Sequence, residues 1–231
     1  LAEANPNLAV VIVSGNAVAM PWIDRVPAVL EAWFSGSEAG NALADVVFGA
    51  VNPSGKLPFT FPVRLEDNGA HALGEYPGSD KVKYNESIFV GYRWHDKEQL
   101  KPLFAFGHGL SYTAFAVGNV KADRTTLAPN GSIRISADVT NTGDRAGAEV
   151  VQLYIGDEQS SLPRPVKELK GFQKVSLNPG QTRTVTFEIT PGMLQYYDDA
   201  KGAWVAEPGA FTAYVGAASD DIRGTVEFEL K

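Results

Sequence analysis

The 231-residue sequence contains no cysteine, which excludes disulfide bonds, thiolate metal sites and cysteine nucleophiles together. The only histidines are His71, His95 and His108, and they are too scattered for a typical zinc signature, so no metal site is predicted. No apolar run approaches the roughly 18 residues that a membrane-spanning helix needs. We therefore expect neither metal chemistry nor a membrane contact.

A basic surface is also missing. Lys and Arg number 20 against 27 Asp and Glu, so the formal net charge is −7 and no general positive field is available for nucleic acid. Hydrophobic residues make up 44% of the chain, which is enough for true cores. The length fits one large domain or two modest ones.

The first part of the chain has the pattern of an α/β fold. The apolar run over residues 8–13 predicts a strand covered on both faces, and residues 28–34 predict a second buried strand, with a short helix as the alternative. A helix is predicted from Glu38 to a stop at Gly49. Because a parallel sheet usually has about four to six strands, we expect further strands upstream of Leu1.

The rest of the chain changes from turn-rich segments to short strands at regular spacing. Residues 53–114 form a connector in which residues 87–94 have strand character. Seven strands are predicted afterwards, over residues 133–141, 148–155, 169–177, 184–189, 203–206, 211–215 and 225–230. Their alternation and the turn residues between them favour an antiparallel β-sandwich. We expect an α/β domain with its connector over residues 1–114 and a β-sandwich over residues 115–231.

Several motifs in this order carry a family resemblance. They are EAGNALADVVFG (38–49), NPSGKLPFTFP (52–62), YNESIFVGYR (84–93), FAFGHGLSYT (104–113), VTNTG (139–143), EVVQLY (149–154), RPVKELKGF (164–172) and EPG (207–209). Over essentially its whole length the chain resembles the C-terminal portion of glycoside hydrolase family 3, the β-glucosidase family. The only departure noted is Ser87, where the family usually has glycine.

The resemblance implies the end of an α/β sandwich domain, with a mostly parallel sheet, followed by a fibronectin type III-like domain of the immunoglobulin-like class. It also implies that a (β/α)8 barrel and the first half of the α/β domain precede this region, on the same or on a separate chain. The family's nucleophile Asp and acid/base Glu are then expected upstream of Leu1. This chain alone is expected to be inactive and mainly structural.

For the intact protein the resemblance implies a retaining exo-acting β-glycosidase without a cofactor. It would hydrolyse terminal non-reducing β-D-glucosyl residues of a β-linked oligosaccharide or aryl glycoside, with a β-xyloside or an N-acetyl-β-glucosaminide as alternative substrates. The resemblance assigns no cellular compartment. A periplasmic or secreted location suits such an enzyme, and any signal peptide would lie before Leu1.

Two residues are candidates for substrate binding. Trp22 lies in a loop after a strand, where α/β folds build ligand sites and an exposed indole can stack on a sugar, although packing of the loop onto the sheet also explains this residue. Glu38 lies within a family motif, although a first-turn acid is also explained by the helix dipole. The acid pairs Glu66-Asp67, Asp198-Asp199 and Asp220-Asp221 are interpreted as solvated loop charges.

A second hypothesis makes the β-sandwich an autonomous polysaccharide-binding or adhesion module. This function needs exposed aromatic residues on one face, and Tyr196, Tyr197 and Tyr214 are the candidates. The tryptophans Trp94 and Trp204 are instead expected to pack within strands, and Trp33 within the core.

Overall fold

The α/β part begins with two short parallel strands. The computed structural model describes residues 1–231. In it β1 covers Ala9–Ile12 and β2 covers Ala28–Glu31, paired from Ala9 with Ala28 to Ile12 with Glu31. The second strand therefore ends before residue 34, because Trp33 takes a left-handed backbone conformation (φ 51°) that an extended strand does not allow.

One face of this strand pair is open in the structure. Residues of β1 alternate between exposed and half-buried, and Val13 just beyond it is 64% exposed. The prediction that β1 is covered on both faces is therefore wrong within this chain. Two strands and one helix are too few to cover both faces of a parallel sheet.

Helix α1 (Ala39–Val47) follows a 3₁₀ turn over Gly36–Glu38. At its end the Phe48 N–H donates to the Ala44 carbonyl, and Gly49 adopts a φ of 78°. A left-handed glycine at this position is a common helix stop because it has no Cβ to clash. The predicted helix is confirmed, with its first residue shifted from Glu38 to Ala39.

The connector carries two more short helices, α2 (Gly69–Ala72) and α3 (Tyr92–Lys97). The prediction of a strand over residues 87–94 is wrong. Ser87 and Gly91 both have positive φ, 55° and 62°, so the chain turns twice and then becomes helical. Trp94 consequently lies on α3, where it is buried. None of the helices is both long and apolar enough to cross a membrane.

The β-sandwich contains two facing sheets. Its strands are β3 (Phe115–Ala122), β4 (Thr126–Leu127), β5 (Ile133–Asn141), β6 (Gly147–Asp157), β7 (Glu168–Leu177), β8 (Thr182–Ile189), β9 (Tyr196–Asp198), β10 (Ala203–Val205), β11 (Gly209–Ala218) and β12 (Asp221–Leu230). One sheet has the order β4-β12-β11-β6-β7, and the other has the order β3-β5-β8. Strands β9 and β10 form a separate hairpin. All seven predicted strands are present, and β3, β4 and β9 are additional.

Alternating side chains build the sandwich core. On β5 every second residue from Ile133 to Asn141 is buried, and the same period continues on β8. The core cluster of 19 buried hydrophobic residues lies entirely within residues 127–230. Period-2 alternation places one face of each strand towards the facing sheet, which confirms the predicted fold class.

The α/β part has few buried hydrophobic residues of its own. Before residue 115 they are Met20, Phe61, Trp94 and Ala105. This part is instead fastened to the sandwich by side chains of the motif segments. Asn52 accepts hydrogen bonds from Ser111 Oγ (2.9 Å) and the Tyr112 N–H (2.8 Å), and its amide donates to the Ala146 carbonyl (3.0 Å).

A buried ion pair crosses the same interface. The Lys56 ammonium lies 2.7 Å from Glu149 Oε1 on β6, with side-chain exposures of 13% and 12%, and it also donates to the Gly109 carbonyl (2.8 Å). Nearby, the Gln152 amide donates to the carbonyls of Gly107 and Ala217. The connector therefore packs against the sandwich through polar groups that have ion-pair or hydrogen-bond partners.

We expect Lys56→Met to lower the free energy of unfolding by about 3 kcal/mol, because it leaves the Glu149 carboxylate buried without its partner charge. The double variant Lys56→Met/Glu149→Leu should recover much of this loss. Urea denaturation followed by fluorescence measures both.

Lys231→Met is the matched control, since Lys231 pairs with Glu229 at the exposed chain end. It should change stability by less than about 0.5 kcal/mol. If Lys56→Met has no larger effect than this control, the buried pair does not hold the interface.

Candidate functional site

The carboxyl ends of β1 and β2 meet at one edge, where parallel sheets usually bind ligands. Ser14 follows β1, and its hydroxyl donates to the Asn16 carbonyl (2.8 Å) and lies 3.5 Å from Glu31 Oε2. The other oxygen of Glu31 accepts the Trp33 N–H at 3.1 Å. This edge offers a carboxylate and a hydroxyl for binding a polar ligand. Ser14 hydrogen-bonds to no histidine, so it is not an activated nucleophile.

Aromatic rings form the wall beside this edge. The left-handed conformation of Trp33 directs its indole onto Phe59 (centroids 5.5 Å apart) and Phe61 (6.4 Å), both in edge-on geometry. Trp33 is half-buried in this aromatic cluster and lies outside the hydrophobic core, so the expectation that it is a core residue is wrong. Phe34 is 74% exposed, and a side chain at Gly15 would collide with its ring. The sequence did not indicate Glu31 as a candidate site residue, because it lies inside an apolar run that predicts only a strand.

The structure places the two predicted substrate-binding residues in different surroundings. Trp22 is half-buried and precedes the 3₁₀ turn over Ile23–Arg25. The Arg25 guanidinium lies 3.9 Å from the carboxylate of Glu3, which precedes β1, so this turn lies near the amino end of the strand pair. Glu38 is exposed beyond the carboxyl end of β2, and its carboxylate accepts a hydrogen bond from the Asn41 amide (2.6 Å). No hydrogen bond joins the two residues.

The three acid pairs are only in part the solvated charges that we expected. Asp67 is buried, accepts the Arg64 N–H and pairs with the Arg64 guanidinium. Asp198 is buried beside Lys201, and a hydrogen bond from the Lys201 ammonium holds the pKa of Asp198 below its usual value. Asp221 pairs with Arg223. These carboxylates have structural partners rather than a partner carboxyl group.

A polar cleft of about 400 Å³ lies between α3 and the turn that joins β11 to β12. His95 and Asp96 line it from the helix, and Ser219 and Asp220 line it from the sandwich. His95 is 4% exposed, and its Nδ1 lies 3.1 Å from the Gly91 carbonyl. Since a carbonyl can only accept, Nδ1 donates this hydrogen bond, and Nε2 has no partner within the protein.

A second cleft, of about 470 Å³, lies beside the opposite side of α3. Glu86 from the YNES motif and Trp94 both line it, and Glu86 Oε2 and Trp94 Nε1 make no hydrogen bond within the protein. The Lys97 ammonium lies over the Trp94 ring at 5.1 Å. Glu86 Oε2 and Trp94 Nε1 are both buried below the surface of the cleft, and the cleft holds no pair of carboxyl groups arranged for hydrolysis.

His108 has a bracing position rather than a catalytic one. Its ring stacks on Phe104 with centroids 5.2 Å apart, and its carbonyl accepts the Leu57 N–H. Burial, together with the Lys56 charge, lowers the pKa of His108, so the imidazole stays neutral near pH 7.

A cluster of charges docks α3 onto the sandwich. Glu168 at the start of β7 accepts contacts from Arg93 (3.1 Å), Arg164 (2.9 Å) and Lys170 (3.4 Å). Burial opposes ionisation of Glu168, yet the Lys170 charge and the Arg164 hydrogen bond hold its pKa below the ordinary value of 4.5. Beside it, the Tyr92 hydroxyl accepts the Leu169 N–H at 2.9 Å.

Comparisons with known proteins identify the family to which these features belong. Residues 1–112 match the model of the glycosyl hydrolase family 3 C-terminal domain, and residues 149–219 match that of the fibronectin type III-like domain. The chain belongs to glycoside hydrolase family 3 and corresponds to the C-terminal portion of its members.

Several relatives are β-glucosidases by name. The chain is 54% identical to beta-glucosidase BoGH3A of Bacteroides ovatus, over 99% of this chain and 31% of that protein. It is 48% identical to thermostable beta-glucosidase B of Acetivibrio thermocellus, over 96% of this chain and 29% of that protein. The crystal structure of a Kluyveromyces marxianus β-glucosidase in complex with glucose superposes with a TM-score of 0.92 at 42% identity, over 100% of this chain and 27% of that one. The chain thus spans about 30% of the length of these relatives.

The Glu168 cluster generates a pH prediction. A carboxyl group whose pKa is lower in the folded state stabilises the fold above its unfolded pKa, and this contribution disappears as the pH falls through the folded pKa. We expect the melting temperature difference between the wild type and Glu168→Gln to be constant from pH 7 to about 5 and to shrink below about pH 4.5. Thermal denaturation monitored by circular dichroism measures it.

Glu227→Gln is the control, since Glu227 is exposed on β12. Its difference from the wild type should stay small at every pH. A Glu168→Gln difference that grows on acidification would contradict the lowered pKa.

Proposed function

We propose that this chain is the C-terminal portion of a retaining, exo-acting β-glycosidase of the β-glucosidase type, which removes terminal non-reducing β-D-glucosyl residues. The observation that carries the proposal is the 54% identity to a named β-glucosidase over 99% of the chain. We further propose that residues 1–114 complete the α/β sandwich domain and that residues 115–231 form the fibronectin type III-like domain.

The role of this portion in the enzyme is structural support. Retaining hydrolysis needs two carboxyl groups about 5 Å apart across the scissile bond, one as nucleophile and one as acid/base. The acids that the sequence groups together are held instead by Arg64, Lys201 and Arg223. The nucleophile Asp and the acid/base Glu are therefore supplied by the remainder of the enzyme.

The exposed apolar surface of the α/β part supports a contact with that remainder. Val13, Phe34 and Phe48 follow β1, β2 and α1 in the chain and are 64%, 74% and 87% exposed. Exposed apolar patches usually lie at an interface, and we infer that these side chains belong to one. We propose that the barrel and the first half of the α/β domain cover this surface, on the same or on a separate polypeptide.

Trp22 and Glu38 are proposed as outer contacts to the oligosaccharide. The half-buried indole of Trp22 keeps one part accessible for stacking, and the exposed Glu38 carboxylate can accept sugar hydroxyl groups. Their positions at different ends of the strand pair favour contacts to different sugar units rather than a single shared subsite.

The proposal predicts that this chain by itself has no glycosidase activity. The purified 231-residue chain should release no 4-nitrophenol from 4-nitrophenyl β-D-glucoside, β-D-xyloside or N-acetyl-β-D-glucosaminide above the enzyme-free rate, because it lacks the paired carboxyl groups. The Bacteroides ovatus β-glucosidase is the positive control on the glucoside. Turnover by the 231-residue chain would contradict the proposed location of the carboxylates.

A separate prediction concerns the two candidate substrate-binding residues, Trp22 and Glu38. We would replace the matching segment of the Bacteroides ovatus enzyme with this chain and introduce Trp22→Ala or Glu38→Gln. Each substitution should raise KM for cellobiose about fivefold with little change in kcat, as expected for lost ground-state binding. Glu227→Gln is the control. An unchanged KM in both variants would remove the two residues from the substrate site.

A further inference from the structure

The hairpin of β9 and β10 displays two aromatic rings on one face. Tyr197 and Trp204 are directly opposed across the hairpin, so their side chains project to the same side. They are 49% and 64% exposed, and their ring centroids lie 5.7 Å apart at an angle of 70°. The expectation that Trp204 packs inside the sandwich is therefore wrong. The hairpin pairs with neither of the two sheets, and its outer face is exposed in this chain.

The opposite face of the hairpin is anchored. Asp198 is buried and accepts the N–H groups of Ala200 (3.0 Å) and Lys201 (3.2 Å), which fixes the turn. The Arg164 guanidinium lies over the Tyr196 ring at 5.3 Å, and it is itself paired with Asp157. Because these contacts hold the hairpin in place, the Tyr197 and Trp204 rings lose little conformational freedom when a ligand binds.

The side chains on the outer face of the hairpin indicate which class of ligand it can bind. Tyr and Trp combine a broad apolar ring with a hydrogen-bonding group, and such residues are favoured where one side of the partner is apolar and its rim is polar. A pyranose ring has this character, with C–H groups on its faces and hydroxyl groups around its edge. The Lys201 ammonium lies 2.8 Å from Asp198, so these two charges compensate each other. A neutral sugar chain fits this face better than an anionic one on an acidic protein.

We propose that Tyr197 and Trp204 form a surface binding site for a neutral β-linked glucan, separate from the site of hydrolysis. The choice of a β-glucan rests on the proposed function, whereas the choice of a neutral sugar rests on the hairpin itself. One glycosyl unit stacks on the exposed face of Trp204, and Tyr197 contacts the adjoining unit at an angle. The site would retain the protein on polymeric substrate.

Affinity gel electrophoresis of the 231-residue chain in soluble mixed-linkage β-glucan tests the proposal. We expect the wild type to be retarded and Trp204→Ala to weaken binding about tenfold, with Tyr197→Ala weaker by a smaller factor and Trp204→Phe intermediate. Phe172→Ala is the matched control, since Phe172 is 67% exposed on β7 of the same sandwich. Melting temperatures of all variants are measured alongside, and an unfolded Trp204→Ala is replaced in the comparison by Trp204→Phe.

Three results would overturn the proposal. The first is equal retardation of the wild type and Trp204→Ala, and the second is equal retention on a polygalacturonate gel. The third is self-association of the wild type that Trp204→Ala abolishes without any glucan binding, which would assign the face to a second copy of this chain. The assay requires no hydrolysis, so its failure is distinguishable from failure of the proposed β-glucosidase function, which the chimeric enzyme tests separately.

Discussion

The polar interface between residues 52–113 and the sandwich is the interaction on which the α/β part depends. That part contributes only Met20, Phe61, Trp94 and Ala105 to the buried hydrophobic residues, and its helix α3 has six residues, too few to be stable without tertiary contacts. The Lys56–Glu149 pair and the hydrogen bond from Asn52 to the Ala146 carbonyl bind it to a sandwich with a complete core. Two further hydrogen bonds to Asn52, from Ser111 and Tyr112, join segments within the α/β part and its connector. Several residues of the family motifs in this segment are thus interface residues.

This dependence explains why several buried titratable groups here are structural. Desolvated charges need partners, and Glu149, Glu168 and Asp157 have them across the interface or beside it. Groups committed in this way cannot also serve as a nucleophile and an acid. This supports the proposals that other parts of the enzyme supply the catalytic carboxyl groups and that this portion is mainly structural.

The parts of the fold that were predictable are those governed by local rules. Alternation on β5 and β8 and a glycine after α1 are local signals, and the structure follows them. The segment over residues 87–94 has strand-like composition, but the positive φ values of Ser87 and Gly91 turn the chain so that Tyr92 and Asp96 reach the sandwich. Composition cannot report this, since the benefit comes from residues more than 70 positions away.

By itself the sequence determined the fold class, the order of the two domains, the family and the absence of cysteine chemistry, because each depends on residue types and their spacing along the chain. Only the tertiary structure decided that Asp67 and Asp198 are buried, that Glu31 holds the strand edge, and that Trp204 and Tyr197 share an exposed face. Burial and partnership depend on which distant segments meet, and an apolar or charged residue has the same letter in either environment.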